Sequence, residues 1–303
     1  MLGRPIVVVA NPSAGRGKGG RLIGKVDRLL LELGVPHEFK ISESAADLTH
    51  LVADAAAGGA ETVAVLGGDG SVGLAANGLL DSGSSLAILP SGTGDDFARS
   101  LGVGSLAAAA RALVDPNIVP IDVVRIAAGV ERRVFVNVAG AGFDSEVNEA
   151  ANAMRWDLGA TGTYIAAVLR TLSRFRPAGF RIEVDDEVVE GSYMLVVVGN
   201  GMRYGGGMKV TPDASVVDGQ VDVLLLGALG TSAFLRAFPK VFRGTHVHHP
   251  AVRVAKARRV KVEADRRVQV YADGERVGPL PAVFEVLPAA LPVVVGPNPK
   301  VVR

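Results

Sequence analysis

The sequence predicts an α/β first domain with a parallel sheet and flanking helices, followed by a largely antiparallel, β-rich second domain. The chain has 303 residues, which indicates two domains at about 150 residues per domain. Apolar strands alternate with helical patterns over roughly the first 120 residues, an order typical of parallel sheets. Beyond an Asp-Pro pair at residues 115–116, most apolar runs alternate with period two, as antiparallel strands do. We expect a ligand cleft between the two domains.

The first domain is predicted to contain four strands separated by helices. Leu22, Val26 and Leu30 recur at helical spacing after the first strand, and Gly34 ends that helix. A second helix follows the second strand, and a helix of small residues follows the third. The predicted strands are residues 4–10, 37–41, 61–66 and 86–89.

The second domain carries hairpin patterns. Residues 181–189 alternate around an Asp-Asp turn at 185–186, and residues 260–270 alternate around an Asp-Arg-Arg corner. We expect a hairpin at each of these places. Two helical segments interrupt the strands, at residues 145–174 and 231–242.

The composition excludes several classes of protein. Hydrophobic residues make up 49% and charged residues 21%, which is typical of a globular chain with a large core. The longest stretch without a charged residue has 14 residues, and a membrane-spanning helix needs about 20. There is no cysteine, which excludes disulfides and thiolate chemistry. The motifs of serine hydrolases and zinc proteases are missing as well. We expect a cytoplasmic protein.

The net charge of +1 conceals an uneven distribution. Residues 236–267 contain ten Lys or Arg against two acids, and residues 4–28 contain six against one. These cations either lie on solvated faces or form a surface for anionic partners. His246, His248 and His249 fall in the first of these windows, and we interpret them as surface histidines rather than metal ligands.

Three loops follow the first, third and fourth predicted strands, where open α/β sheets bind ligands. The first, residues 11–20, contains a formal G-x-G-x-x-G pattern. An Asn-Pro-Ser-Ala insert and the basic residues Arg16 and Lys18 argue against a dinucleotide fold, and no P-loop motif is present. Mobile backbone amides before a helix would still suit a phosphate, although a plain glycine-rich turn is the alternative.

The second and third loops combine glycines with acids. Residues 67–71 read Gly-Gly-Asp-Gly-Ser, and the three glycines suggest that the backbone approaches a ligand closely. Asp69 could hold Mg²⁺, a sugar hydroxyl or a water molecule. Residues 90–97 offer two hydroxyls and two acids at a helix start, where Asp96 could instead be a simple N-cap.

The ordered set of motifs resembles the diacylglycerol kinase catalytic domain family, which includes sphingosine and ceramide kinases and belongs to an NAD kinase-like superfamily. The first half carries Asn-Pro-x-Ala-Gly, Gly-Gly-Asp-Gly-Ser and Leu-Pro-Ser-Gly-Thr-x-x-Asp-Phe-Ala. The second half continues the series at residues 137–144, 199–207, 211–214, 218–222 and 273–275. Three positions depart from the family pattern: Ser71 replaces Thr, Gly73-Leu74 replaces an Asn-Glu pair, and Asp95 replaces Asn.

The resemblance implies a nucleotide site, a catalytic turn and a structural metal site. The implied ATP-binding residues are Asn11, Pro12, Ser13, Ala14, Gly15, Ser42, Gly67, Gly68, Asp69, Gly70, Ser71 and Thr93. Asp273 and Glu275 match the position of the catalytic base, and Asp69 is the third implied catalytic residue. Spacing of i and i+2 on an extended strand end would put both carboxylates on one side, and the choice between them stays open. A structural Mg²⁺ would take the Asp218 carboxylate with main-chain oxygens of Ser215 and Gln220.

The resemblance therefore implies a lipid kinase that uses ATP and Mg²⁺ to phosphorylate the hydroxyl of a diacylglycerol-like lipid. We assign residues 1–121 to a nucleotide-binding domain, 122–288 to a β-rich lipid-substrate domain and 289–303 to a terminal strand returning to the first. Two alternatives stay open: an NAD kinase, and a non-catalytic lipid-binding protein with a decayed kinase site.

The expected partners are a lipid substrate and the anionic inner face of the membrane, without nucleic acid; a homodimer stays open. The segment around residues 231–242 interleaves cations with apolar side chains, as a peripheral membrane helix would. The apolar side chains are Phe234, Leu235, Phe238, Val241 and Phe242, and the cations are Arg236, Lys240 and Arg243. In the alternative interpretation the aromatic rings face the core.

Overall fold

A computed structural model describes residues 5–12, 14–92, 94–153, 159–172 and 174–300. The chain divides into two compact units. The first consists of Met1–Val123 together with Pro288–Arg303, and the second of Val124–Leu287. The predicted fold class is confirmed, because the first unit has a parallel α/β sheet and the second a mainly antiparallel one.

The first unit is built on a parallel sheet in the order β2-β1-β3-β4, with the end of β15 beside β4. Its strands are β1 (Ile6–Ala10), β2 (His37–Ile41), β3 (Thr62–Gly67) and β4 (Ser85–Pro90). Its helices are α1 (Ala14–Glu32), α2 (Ala45–Ala57), α3 (Asp69–Leu79), α4 (Asp96–Ser100) and α5 (Leu106–Ala112). Strands β3 and β4 are apolar and almost wholly buried, as expected for a sheet covered on both faces.

The second unit is built around antiparallel strands in the order β14-β13-β7-β9-β8-β12-β15, with β10 and β11 added beside β9. The first six strands of this part of the chain are β5 (Asn117–Ala128), β6 (Glu131–Phe135), β7 (Val138–Gly142), β8 (Ala178–Val184), β9 (Glu187–Gly199) and β10 (Val221–Gly227). The others are β11 (Val252–Ala257), β12 (Arg259–Ala264), β13 (Gln269–Ala272), β14 (Glu275–Pro279) and β15 (Ala282–Val295). Its helices are α6 (Phe143–Ala153), α7 (Gly159–Leu172) and α8 (Thr231–Ala237).

Alternation of side chains builds a core in the second unit. Inward-facing residues of β8, β9, β12 and β15 form one buried apolar cluster. Phe135 and Phe284 meet edge to face in this cluster, with 6.3 Å between their ring centres, a favourable geometry for aromatic pairs. Among the described residues, no helix is both long and apolar enough to cross a bilayer.

One of the two predicted hairpins is confirmed and the other is wrong. Strands β8 and β9 pair across Asp185, which has the positive φ of 49° that a tight turn requires. Strands β12 and β13 do not pair with each other, because β12 pairs with β8 and β15 while β13 pairs with β7 and β14. Alternating apolar residues identify a strand, but they do not identify its partner.

The helical prediction at residues 231–242 needs a similar correction. Helix α8 ends at Ala237, and the chain continues as a 3-10 helix over Phe238–Arg243. Pro239 explains the change, because its nitrogen carries no hydrogen for the next α-helical hydrogen bond. In the described part of the predicted segment 145–174 the structure has helices α6 and α7, and residues 154–158 and 173 lie outside the described residues.

Candidate functional site

The first glycine-rich loop leaves the carboxyl end of β1. The Asn11 main-chain N–H donates to the Leu66 carbonyl of β3, and its side-chain amide donates to Ser71 Oγ at 3.2 Å. The Pro12 carbonyl accepts a hydrogen bond from the Gly20 N–H. Ala14 and Gly15 lie in the first turn of α1, and Ser13 lies outside the described residues. A helix start leaves backbone N–H groups without intrahelical acceptors, so this loop suits an anionic group.

Ser42 directly follows the carboxyl end of β2, the strand that pairs with β1. Its main-chain N–H and its hydroxyl both donate to the Ala10 carbonyl, at 2.9 and 3.1 Å. The buried Ser42 side chain therefore lies beside the end of β1. Three of the predicted nucleotide-binding segments thus meet at the carboxyl ends of β1, β2 and β3.

The second loop requires glycine for steric reasons. A Cβ atom on Gly67 would lie 2.3 Å from the Ser71 Cβ, and one on Gly68 would lie 3.2 Å from the Gly92 Cα. The Gly68–Gly92 distance shows that the second and third loops touch through their backbones. Asp69, Gly70 and Ser71 form the first turn of α3 rather than a free loop.

Asp69 links these two loops. Its carboxylate accepts hydrogen bonds from the main-chain N–H groups of Asp96, at 3.2 Å, and Phe97, at 3.1 Å. It therefore caps the start of α4. Burial, with a smaller contribution from the nearby charges of Asp96 and Asp95, raises the pKa of Asp69 to about 7 against the opposite effect of the two N–H groups.

The alternative role of Asp96 as a side-chain N-cap is wrong. The N-cap residue is Asp95, whose φ is 49°, and its side chain accepts from the Gly92 N–H at 2.9 Å rather than from the helix. Asp96 is 1% exposed and lies in the first turn of α4. Burial raises the pKa of Asp95. Thr93 lies outside the described residues.

The turn predicted to be catalytic joins β13 to β14 in the second unit. Asp273 has a φ of 50°, and its carboxylate accepts hydrogen bonds from the N–H groups of Val136, Asn137 and Val138 at 2.9–3.2 Å. These three residues connect β6 to β7. Burial raises the pKa of Asp273 to about 6, although the three N–H groups and the Arg133 guanidinium act in the opposite direction.

Glu275 has a different environment from Asp273. It is exposed at the start of β14, and its main-chain carbonyl accepts a hydrogen bond from Arg133 at 2.8 Å. Burial lowers the pKa of Arg133, and the charges of Glu275 and Asp273 oppose this shift. The prediction that both carboxylates face one side is wrong, because Asp273 occupies a left-handed turn position rather than an extended strand.

The second unit also contains an apolar cavity, whose empty space of about 690 Å³ includes open solvent at its mouth. Helices α6 to α8, the 3-10 segment and strands β9 to β11 contribute its lining, which is almost entirely hydrophobic. Its polar groups include Asp144 and Tyr204, and the Tyr204 hydroxyl donates to Asp144 Oδ1 at 2.7 Å. His246 also lines this cavity and donates from Nε2 to the Val210 carbonyl at 3.0 Å. His246 is therefore partly buried, whereas His248 is exposed as predicted.

The aromatic residues predicted to enter a membrane face inward. Phe234 is 7% exposed and stacks on Phe238, and Phe238 meets Phe242 edge to face. Val241 is buried as well. Of the five apolar residues, Leu235 alone is strongly exposed, at 42%. The alternative interpretation, in which the rings face the core, is the one that the structure supports.

The predicted metal turn fits a magnesium ion poorly. One oxygen of the Asp218 carboxylate accepts from the Gln220 N–H at 3.1 Å, and the other accepts from Lys256 Nζ at 2.6 Å. Lys256 also lies 3.3 Å from Asp222 Oδ1. Ser215 Oγ accepts a hydrogen bond from the next residue but one. The described residues contain no group of three or more His, Cys, Asp or Glu suited to a metal.

Replacing Lys256 with Met should therefore destabilise the second unit. The nearly buried Asp222 would lose its cation, and leaving a buried charge without a partner costs about 1–3 kcal/mol or more. We expect added Mg²⁺ to restore part of the lost melting temperature in this variant and to leave the wild type unchanged. Lys261→Met, which removes a cation from partly exposed acids, is the matched control. A wild-type protein that EDTA destabilises would contradict this result.

The free energy of unfolding should fall as the pH rises through the pKa values of Asp69 and Asp273. These are about 7 and about 6 in the folded protein, against an ordinary value of 3.8. A raised pKa means that the folded protein binds the proton more tightly than the unfolded chain. The resulting stabilisation is complete below pH 3.8 and is lost as the pH rises through 6 and 7. Urea denaturation at about pH 5, 6 and 8 measures it, and Asp69→Asn should remove the portion lost near pH 7.

Comparison with known proteins identifies both halves of the chain. A family model described as the diacylglycerol kinase catalytic domain matches residues 5–126. A second model, the YegS C-terminal NAD kinase beta sandwich-like domain, matches residues 137–295. Together these models define a lipid kinase of two domains.

Individual relatives agree over nearly the whole chain. A diacylglycerol kinase of Mycobacterium tuberculosis is 38% identical over 293 residues, which cover 95% of this chain and 94% of the relative. One of Bacillus subtilis is 30% identical and covers 91% of each chain. The crystal structure of a diacylglycerol kinase from Bacillus anthracis has a TM-score of 0.75 at 26% identity and covers 98% of both chains. The chain belongs to the diacylglycerol kinase family.

Proposed function

We propose that this lipid kinase transfers the γ-phosphoryl group of ATP to the hydroxyl group of a diacylglycerol-like lipid and releases a phosphatidate-like product. The observation that carries the proposal is the apolar cavity of the second unit, whose lining is almost entirely hydrophobic and has Tyr204 and Asp144 among its few polar groups. Relatives with the same two domains are named diacylglycerol kinases.

The first unit would bind the nucleotide. Its three loops meet through the Asn11–Ser71 hydrogen bond and the contact between Gly68 and Gly92. The start of α1 supplies backbone N–H groups that suit phosphate oxygens. A magnesium ion carried by ATP would neutralise charge on the transferred phosphoryl group. Asp69 and Asp96 supply carboxylate oxygens in this group of loops.

Glu275 would act as the general base, and Asp273 would be a positioning residue. The main-chain N–H groups of residues 136–138 donate to the Asp273 carboxylate and fix it against the backbone. The Glu275 side chain, in contrast, is exposed. As the lipid oxygen forms its bond to the γ-phosphorus, the hydroxyl proton would pass to the Glu275 carboxylate, and ADP would leave with the electrons of the broken bond.

A lipid kinase of this kind must meet its substrate at a membrane surface. Several cations of the basic window are paired with acids: Arg253 with Glu187, and Lys261 with Glu183 and Glu263. We propose that other cations of the second unit provide peripheral contact with anionic lipids on the cytoplasmic face. Salt should weaken this contact, because the Debye length is about 8 Å at physiological ionic strength.

Purified protein incubated with labelled ATP, Mg²⁺ and three acceptors tests the proposed function. A short-chain diacylglycerol should yield a labelled phosphatidate, whereas NAD and an acceptor-free control should yield no product. Labelled NADP would instead establish the NAD kinase alternative. If the folded protein binds lipid without turnover of any acceptor, including sphingosine and ceramide, the decayed-site alternative holds.

Narrowing the apolar cavity should change the preferred chain length. Leu226 lines the cavity from β10 and is partly buried, so Leu226→Trp would occupy part of its volume. We expect a higher KM for a long-chain diacylglycerol and a smaller effect with a dioctanoyl substrate. Melting temperature controls for misfolding, and an equal effect on both substrates would place the acyl chain elsewhere.

A further inference from the structure

The turn between β13 and β14 concentrates negative charge. Asp273 and Glu275 lie two positions apart in the sequence, and Glu131 of β6 acts on the same arginine as these two acids. The proposed reaction brings a further anion, the γ-phosphoryl group of ATP, to the lipid hydroxyl beside Glu275. Like charges repel each other most strongly where water is excluded. A cation at this turn would therefore assist the transfer.

Arg133 supplies such a cation. Its side chain extends from β6 to the start of β14, where the guanidinium donates to the Glu275 main-chain carbonyl at 2.8 Å. The charges of Glu275 and Asp273 both act on Arg133, and burial acts against them. In the described part of the chain, Arg133 forms no ion pair with an acid. The guanidinium therefore lies near both carboxylates without a direct ion pair to either.

Most of the hydrogen-bond donors of Arg133 are available to a ligand. A guanidinium carries five N–H groups in a planar fork. One of them is used by the Glu275 carbonyl, and no second acceptor for this side chain occurs among the residues that the structure describes. The fork matches pairs of phosphate oxygens in geometry and in charge. The fixed N–H and the remaining donors together suit a phosphoryl group that arrives at the turn.

Two neighbouring arginines differ from Arg133. Arg132 precedes it on β6, so its side chain points to the opposite face of the strand, and it is exposed. Arg276 directly follows Glu275, but its Nε donates to Gln269 Oε1 at 3.2 Å. The fold thus directs Arg133 at the Glu275 backbone, and Arg132 offers a matched control.

We propose that Arg133 is a catalytic residue that binds the oxygens of the transferred phosphoryl group while the lipid hydroxyl attacks its phosphorus. The inference rests on the proposed function for the identity of this group. The guanidinium donates hydrogen bonds and transfers no proton, so the hydroxyl proton still passes to Glu275. Negative charge is spread over the equatorial phosphoryl oxygens in the transition state, and a cation that is already in place stabilises it without reorganisation.

Steady-state kinetics with dioctanoylglycerol and ATP test this role in Arg133→Met, Arg133→Lys and the control Arg132→Met. We expect Arg133→Met to lower kcat about 10²–10³-fold, whereas Arg132→Met stays near the wild type. Arg133→Lys keeps the charge without the fork and should recover part of the loss. Guanidinium chloride, at a concentration that leaves the melting temperature unchanged, should also restore part of kcat in Arg133→Met. Water can replace the donor at the Glu275 carbonyl, so the melting temperature of Arg133→Met should change little.

A binding experiment tests the contact without turnover. Aluminium fluoride bound beside ADP imitates the phosphoryl group during transfer, and such analogues bind more tightly than the ground state. ADP is titrated by calorimetry with and without aluminium fluoride, in the presence of Mg²⁺ and dioctanoylglycerol. The wild type should gain affinity for ADP when aluminium fluoride is present, and Arg133→Met should lose most of that gain.

Three results would overturn the proposal. The first is a kcat near the wild-type value in Arg133→Met, and the second is an equal loss in Arg132→Met. The third is a loss that neither lysine nor guanidinium recovers, together with an unchanged effect of aluminium fluoride, because Arg133 would then have a structural role alone. If the wild type phosphorylates no acceptor, the proposed function fails, and the titration still decides whether Arg133 contacts the phosphoryl mimic.

Discussion

Glu275→Gln should lower kcat by roughly 10²–10⁴, the range expected for loss of a general base. The amide has nearly the same shape as the carboxylate but cannot accept the hydroxyl proton of the lipid. Because the Glu275 side chain is exposed, its replacement should leave the melting temperature and the affinity for ATP nearly unchanged. Steady-state kinetics with a short-chain diacylglycerol, together with ATP titration, measures both effects.

Asp273→Asn is the informative comparison for this experiment. The amide keeps one acceptor oxygen and loses the other, so at least one of the three N–H groups of residues 136–138 loses its partner. Leaving a buried N–H unsatisfied costs about 1–3 kcal/mol, so this variant should be less stable. A normal kcat for Glu275→Gln, with Asp273→Asn inactive but fully stable, would reverse the two roles.

Asp69→Ala should abolish ATP-dependent turnover and also reduce stability. The substitution removes the acceptor for the N–H groups of Asp96 and Phe97, and loss of a helix cap costs about 0.5–2 kcal/mol. The third loop would lose its connection to the second, so the affinity for ATP should fall as well. Calorimetric titration of ATP and thermal unfolding measure these effects.

Asp54→Ala is a matched control for Asp69→Ala, because it removes an exposed carboxylate from α2 of the same unit. Its turnover and melting temperature should resemble those of the wild type. Full activity of Asp69→Ala with an unchanged melting temperature would contradict both roles given to this carboxylate.

Much of the fold could be predicted because its signals are local. Apolar runs bounded by glycines and turns identify the strands of the first unit, and the turn at Asp185 identifies one hairpin. The hairpin predicted at residues 265–267 is wrong, because β12 and β13 pair with strands that are distant in the sequence. The early end of α8 follows from Pro239. This signal is local, but the helical spacing of the apolar residues continues past it and predicts a longer helix.

The candidate site was harder to predict in its details than in its location. Motif order brought attention to Asp69 and Asp273, but their hydrogen-bond donors lie 27 and about 136 residues away along the chain. No local pattern shows such partners. The same limit applies to Asp218, whose cation Lys256 comes from β11, and to the inward orientation of Phe234.

The discontinuous first unit has a consequence for synthesis on the ribosome. Val293 of β15 pairs with Leu86 of β4, and 293 − 86 places these partners 207 positions apart. At about 5–20 residues per second, translation takes roughly 10–40 s to cover that distance. Until then β4 has an open edge, which is a hazard for apolar strands. The nascent chain must therefore complete the entire second unit before the first can close its sheet, so a ribosome that stalls between the two leaves an aggregation-prone strand for chaperones to protect.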